Sequence, residues 1–187
     1  MAKKYEFTTD TKMFLGRKLF RIKALVSFGN VNEGDLGGYV EKESNLSNDT
    51  NSGNAWVYGN AWVYGDAQVY GDAQVYGDAQ VSGNARVYGD AQVSGNARVY
   101  GDAQVSGNAQ VSGNADYMCI RGVGSAYRNT TFFKAKDGTV LVNCGCFSGT
   151  LAEFEAKVRE THEDSKYARE YLAAIECVKI HFEEDIE

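Results

Sequence analysis

The chain contains no proline, only two histidines, no apolar run near membrane-span length and no excess of positive charge. Average usage would place roughly nine prolines in a chain of this length. Their absence fits a chain built mainly of hydrogen-bonded strands and helices, because proline removes a backbone donor. The net charge of −6 argues against a non-specific nucleic-acid binder, which needs a positive face. A membrane-crossing helix requires about 20 consecutive apolar residues, and no stretch approaches that. The opening Met-Ala-Lys-Lys-Tyr-Glu does not read as a signal peptide. A cytoplasmic location is therefore expected, with Cys119, Cys144, Cys146 and Cys177 reduced.

What the chain has in abundance is one hexapeptide. From Asn54 to Gly113 ten units follow one another: Asn or Asp, Ala, a variable residue, Val, Tyr or Ser, Gly. The valines fall at every sixth position from Val57 to Val111. This period, with a small apolar residue two before an aliphatic one, is the signature of a parallel β-helix. Ala and Val point inward and the residues beside them outward. The corner falls to Gly and the following Asn or Asp, which tolerate left-handed backbone angles. Three hexads make one triangular coil, so residues eighteen apart stack, roughly 4.8 Å from each other. The repeat resembles the left-handed β-helix of hexapeptide-repeat proteins, and that resemblance supplies the handedness.

The expected organisation is an N-terminal β-hairpin cap over residues 1–33, a β-helix over 34–117 and a C-terminal ββαα segment over 118–187. Tyr5 and Phe7 alternate with polar neighbours, and Phe20, Ile22 and Ala24 share one face of the returning strand. Ser27 to Gly38 reads as loop. Coiling begins near residue 40, with Val40 and Leu46 in degenerate hexads and a register slip within Ser47 to Gly53. After Gly113, Ala115 and Tyr117 keep the register until Gly122-Val123-Gly124-Ser125 breaks it. Thr130 to Cys146 predicts a second hairpin. Ser148 or Thr150 caps a helix with Leu151, Phe154 and Val158 on one face; a second helix follows with Ala168, Tyr171, Leu172, Ile175, Val178 and Phe182 on a stripe. The acidic residues 183–187 sit unfavourably at a helix C-terminus and should fray. Both flanks can close the open ends of the coil, where bare edges would invite pairing.

Outward positions repeat in columns of eighteen. One face carries Trp56/Tyr58, Gln74/Tyr76, Gln92/Ser94 and Gln110/Ser112; the next Trp62/Tyr64, Gln80/Ser82 and Arg98/Tyr100; the third Gln68/Tyr70, Arg86/Tyr88 and Gln104/Ser106. Trp56, Tyr58, Trp62, Tyr64, Tyr70 and Tyr76 form an aromatic patch too large for bare monomer surface. It is covered by the hairpin or by a neighbouring subunit, or it serves as a ligand or partner site in which Tyr rings stack and Arg86 or Arg98 pairs with an anion. The residues assigned to ligand binding are Arg86, Tyr88, Arg98 and Tyr100, near one shared corner. A closed homo-oligomer is expected, a trimer as in families the repeat resembles.

The familiar enzymes of the hexapeptide-repeat fold are acyltransferases that use a histidine base beside the coil. Here His162 and His181 both lie in the C-terminal segment, so no catalytic residue is assigned and an acyltransferase is an alternative only. Cys144 and Cys146, read on one strand face, lack the CxxC spacing of zinc sites and are taken as buried free thiols. The corner columns Asp72/Asp90 and Asp66/Asn84/Asp102 are read as left-handed corner residues rather than calcium ligands. Gly145 to Thr150 opens a helix whose amides could hold an anion, although most such ends are simply capped. Gly122 to Ser125 lacks the lysine and glycine spacing of a nucleotide-binding loop. No metal and no cofactor are expected.

Beyond the repeat, Phe20-Arg-Ile-Lys-Ala-Leu, Gly34-Asp-Leu-Gly-Gly-Tyr-Val-Glu, Asn45-Leu-Ser, the Gly-Asn-Ala-Trp-Val-Tyr units and Asn143-Cys-Gly-Cys-Phe-Ser-Gly-Thr-Leu-Ala-Glu-Phe-Glu resemble phage and prophage hexapeptide-repeat proteins. The resemblance spans almost the whole chain and brings no functional residue set. It implies a non-enzymatic, oligomeric binding protein in the host-cell cytoplasm. Such a protein would antagonise an antiviral defence by sequestering a nucleotide signal or binding a defence protein. A structural, self-assembling scaffold is a further alternative.

Overall fold

The computed structural model describes residues 2–183, so the fraying expected beyond Glu183 lies outside the described residues. The chain divides after Asn114 into two compact units.

The first unit begins with β1 (Tyr5–Phe14), β2 (Arg17–Ala24) and β3 (Leu36–Val40). Ten two-residue strands follow, β4 (Trp56–Val57) to β13 (Gln110–Val111), one per hexad. They stack in three parallel ladders. One is β4, β7 (Gln74–Val75), β10 (Gln92–Val93) and β13; the second is β5 (Trp62–Val63), β8 (Gln80–Val81) and β11 (Arg98–Val99); the third is β6 (Gln68–Val69), β9 (Arg86–Val87) and β12 (Gln104–Val105). Paired residues are eighteen apart, Val57 with Val75 and Val75 with Val93. Three hexads therefore complete one coil, and the unit is a parallel β-helix of a little over three turns. Every hexad alanine and valine is at most 1% exposed. Burying each valine stabilises the fold by up to about 1.5–3 kcal/mol. The backbone ladder runs between coils, as in Tyr76 N–H to Val93 O at 2.9 Å.

The left-handed angle at each corner belongs to glycine. Gly65, Gly71, Gly83 and Gly101 have φ between 67° and 72°. The only described non-glycine residues with positive φ are Leu15, Tyr127 and Glu163. The corner Asn and Asp residues are thus not left-handed, contrary to the reading above. Their side chains bond from coil to coil instead: Asn54 Nδ2 donates to Asp72 Oδ1 and Asn84 Nδ2 to Asp102 Oδ1, both at 2.8 Å. A paired test follows. A Cβ on Gly83 would sit 2.9 Å from Gly101 N, whereas one on Gly101 meets nothing within 4 Å. Gly101→Ala should cost only the left-handed penalty, about 1–2 kcal/mol. Gly83→Ala should cost more, by about 1 kcal/mol or above, because the next coil must shift. Denaturant midpoints of the two variants check the order.

The first turn is irregular, as expected. Val40 pairs with Val63 and Leu46 with Val69, each 23 residues on rather than eighteen. The five extra residues fall in the Ser47–Gly53 segment, where the Ser47 and Ser52 hydroxyls bond each other. Asn45 is fully buried and donates through Nδ2 to Gly65 O at 3.0 Å and Ala67 O at 2.8 Å, completing the ladder that the missing strand would have supplied.

The hairpin is not a separate lid. β2 pairs antiparallel with β3, and β3 pairs parallel with β5, so one sheet runs β1-β2-β3-β5-β8-β11. The predicted loop ends earlier than Gly38, because Gly37 and Gly38 already lie in β3. They are glycine because backbone approaches backbone: a Cβ on Gly37 would fall 2.6 Å from Val57 O, and one on Gly38 2.5 Å from Ala61 O. Lys4 is wholly enclosed, donating to Gly53 O at 2.9 Å with the Phe28 ring 5.1 Å away. Burial pushes its pKa down, and Asp72 and Asp49 partly oppose that.

The second unit holds β14 (Tyr117–Val123), β15 (Arg128–Lys134), β16 (Val140–Cys144) and β17 (Phe147–Thr150), then α1 (Leu151–His162) and α2 (Lys166–Phe182). The expected strand pair and helix pair are present, with a further strand on each side, giving an antiparallel meander β14-β15-β16-β17. Tyr117 does not continue the coil register, because it pairs with Phe133 in this sheet. The boundary therefore moves from residue 117 to Asn114. Phe132, Val142, Phe154, Val158, Ile175 and Val178 form the core, joining both helix stripes to one sheet face. Among the described residues no helix is long and apolar enough to cross a membrane.

Candidate functional site

The hairpin accounts for half of the aromatic patch. Trp56 is 1% exposed, held edge-on by Tyr5 at 6.1 Å and by Phe28 at 5.4 Å. Phe14 packs edge-on against Trp62 at 5.0 Å and Tyr64 at 5.6 Å, and the Lys12 ammonium lies 5.5 Å from the Trp62 ring centre. Trp62 Nε1 is buried without an acceptor. Tyr58 is half-buried, its phenol pushed up by burial and then by Asp35. Tyr76 donates to Gln92 Oε1 at 3.1 Å on its own ladder.

Tyr70 and Tyr88 behave differently. They stack face to face, centroids 5.0 Å apart and planes 1° apart, on the β6-β9-β12 ladder. Their parallel alignment follows from the eighteen-residue register, Val69 lying opposite Val87. Tyr70 is 36% exposed. Burial and then Tyr88 raise its phenol pKa, while Arg86 is near enough to oppose them. Two shallow depressions meet at Gln68: one also bordered by Leu46 and Tyr70, the other by Arg86, Asn84, Asp102 and Asp66. Asp66 is held by Lys42 at 2.6 Å, which lowers its pKa.

The four residues assigned to ligand binding divide between two ladders. Arg86 and Tyr88 stand on β6-β9-β12, whereas Arg98 lies in β11 and Tyr100 follows it, 63% exposed. Arg98 N–H donates to Asn114 Oδ1 at 2.9 Å, where the coil ends.

In the second unit Cys144 and Cys146 do not share a strand face. Cys144 is buried in β16 with Thr130 Oγ1 at 3.2 Å, whereas Cys146 is exposed in the turn to β17, and Cys177 is exposed on α2. The expectation of buried thiols thus holds for Cys144 and not for Cys146. Among the described residues no His, Cys, Asp and Glu grouping is arranged for a metal ion. The helix start is capped by its own residues, as most such ends are: Thr150 N–H donates to Glu153 Oε2 at 2.8 Å and Glu153 N–H to Thr150 Oγ1 at 3.2 Å. Residues 147–150 are strand, and the helix begins only at Leu151.

His162 stacks on Tyr171, centroids 5.7 Å apart, at the wall of a pocket that also takes in Arg128 and Phe147. Sequence reasoning missed this grouping. Its members come from β15, β17, α1 and α2, and no spacing in the chain links them.

A search of curated proteins finds no match to the chain. Over residues 79–93 and 91–107, within the regular coils, the chain matches the model of the YdcK beta solenoid repeat, and its likeness to that family is one of repeat and fold.

Proposed function

We propose that this chain is a non-enzymatic, oligomeric binding protein and that the β6-β9-β12 ladder is its contact face. The observation that carries the reading is the Tyr70–Tyr88 stack. The hairpin rings pack on Trp56, Trp62 and Tyr64, while Tyr70 and Tyr88 pack on each other beside the exposed Arg86. Tyrosine and arginine are the residue types enriched where proteins meet. The same face holds Asp66 and Asp102 against Lys42 and Arg86. That balance lacks the positive excess which draws a nucleotide phosphate. A protein partner therefore suits the face better than a sequestered nucleotide.

The protein that meets this face is a copy of the chain, in a closed homotrimer whose assembled surface then meets the defence protein. The resemblance to phage and prophage hexapeptide-repeat proteins gives the role its biological form: antagonism of a host antiviral defence through a defence protein. The test is phage plating on hosts carrying a panel of defence systems. Expression of the chain should restore plating under at least one system, and the Tyr70→Ser/Tyr88→Ser variant should not restore it. Failure of the unaltered chain across a broad panel would sink the defence role. Equal restoration by the variant would remove the face from it.

A further inference from the structure

We infer that the second unit carries a binding pocket for a small aromatic carboxylate. A pocket of about 450 Å³ lies between the β15–β17 side of the sheet and the two helices, within the range of about 300–1,000 Å³ typical of small-ligand sites. Its interior is aromatic. Phe147 lies 5.2 Å from Phe154, and Phe154 lies 5.5 Å, edge-on, from Tyr171. Its polar wall is nitrogenous: Arg128, Lys157 and the His162 imidazole all border it.

The charged side chains of this wall are basic. Twelve residues line the pocket, none of them Asp or Glu. A protein of net charge −6 thus has a concave apolar site lined by Arg128 and Lys157, with the Glu170 carboxylate beside it occupied by the Gly124 N–H at 2.9 Å.

Among the described residues no carboxylate pairs with Arg128. Its side chain crosses the turn at Gly145, where φ is +63° and a Cβ would come 3.0 Å from Arg128 Cδ. Glycine there leaves the guanidinium room to lie over the turn. Lys157 is less committed to the pocket, because its ammonium also meets Glu160 at 2.9 Å on the exposed helix face. Arg128 is therefore the anchor, and its planar fork matches a carboxylate in two-point contact. Burial, and then the Cys144 thiol 3.7 Å away, push the Tyr171 phenol pKa up, and its ring closes the aromatic side of the pocket. A flat ring would enter among Phe147, Phe154 and Tyr171, with its acid at Arg128. This site lies wholly within the second unit and does not depend on the contact face of the coils.

The experiment is isothermal titration of the full chain with indole-3-acetate and with its neutral counterpart indole-3-acetamide. The acid should bind, and the amide should bind at least about tenfold more weakly, a difference of about 1.4 kcal/mol. Arg128→Gln, a change at an exposed side chain, should erase the preference without altering the melting temperature. Bound acid should also slow iodoacetamide labelling of Cys146, which borders the pocket, as read by peptide mapping. The inference is overturned if neither probe binds at millimolar concentration. Equal affinity of acid and amide, or a preference that survives in Arg128→Gln, would overturn it equally.

Discussion

Val81→Asp should abolish the β-helix. Val81 is fully buried in the middle of its ladder, with Val63 on one side and Val99 on the other. The coil interior consists of alanine and valine side chains, so the carboxylate would find no donor there. An unpaired charge in such a place costs more than about 4 kcal/mol, most of the stability of a typical domain. Circular dichroism should show the strand signal lost, with soluble yield falling as unpaired edges form. Val81→Ala sets the scale for packing alone. It removes two methyl groups, each worth about 0.8 kcal/mol, and leaves a cavity, for a total of about 2 kcal/mol. Gln80→Asp, one residue earlier and pointing outward, should change stability by less than about 0.5 kcal/mol. A native-like melt for Val81→Asp would mean that the inward and outward positions are wrongly assigned.

Removal of residues 2–25 should uncover Trp62 and one side of Trp56, which keeps Phe28 beside it. Trp56 loses Tyr5, and Trp62 loses Phe14. The β3 edge loses its partner β2. Trp emission should shift to the red, and the truncated protein should self-associate through the freed edge. A milder variant isolates one contact. The Tyr5 hydroxyl donates to Leu46 O at 3.0 Å, tying β1 to the irregular first turn. Tyr5→Phe should cost about 1–2 kcal/mol through the unpaired carbonyl. Burial, and then Glu43, raise the Tyr5 phenol pKa above its ordinary value of 10.0. The unfolded phenol therefore ionises first. The stability Tyr5 contributes is fully present below pH 10 and is lost as pH rises beyond it, at about 1.4 kcal/mol per pH unit. Lys4 has the opposite sign: its folded pKa is lowered, so stability rises with pH in the interval below 10.5. Tyr5→Phe should flatten the loss above pH 10. Unshifted emission after truncation would show that the hairpin does not cover the tryptophans.

The repeat was legible because it is local and redundant. Ten identical decisions about which way Ala and Val point leave the coil little freedom, and the columns of eighteen follow from them. The slip at Ser47–Gly53 was legible for the same reason, as a break in a strict period. Gly37 and Gly38 were not, because a glycine pair reads as loop unless the backbone it must approach is known. Lys4 and Asn45 were missed because a buried polar residue is set by the acceptors around it: one carbonyl for Lys4 and two for Asn45. The corner Asn and Asp were assigned a backbone role that glycine performs, since their value lies in side-chain bonds across an eighteen-residue gap. Of the aromatic patch, composition indicated that something covers it. Which rings the hairpin reaches depends on where Phe14 and Tyr5 fall on the coil. The second unit's pocket left no trace in the sequence, because four separate elements converge to build it.

Native mass spectrometry of the purified chain, followed by denaturation and analysis of what is released, bears most directly on the proposed function. The expected result is a closed assembly of three chain masses, free of any nucleotide-sized mass, that falls to single chains in Tyr70→Ser/Tyr88→Ser. A chain that stays monomeric at every concentration, or a variant that assembles as the unaltered chain does, would contradict the β6-β9-β12 ladder as its contact face.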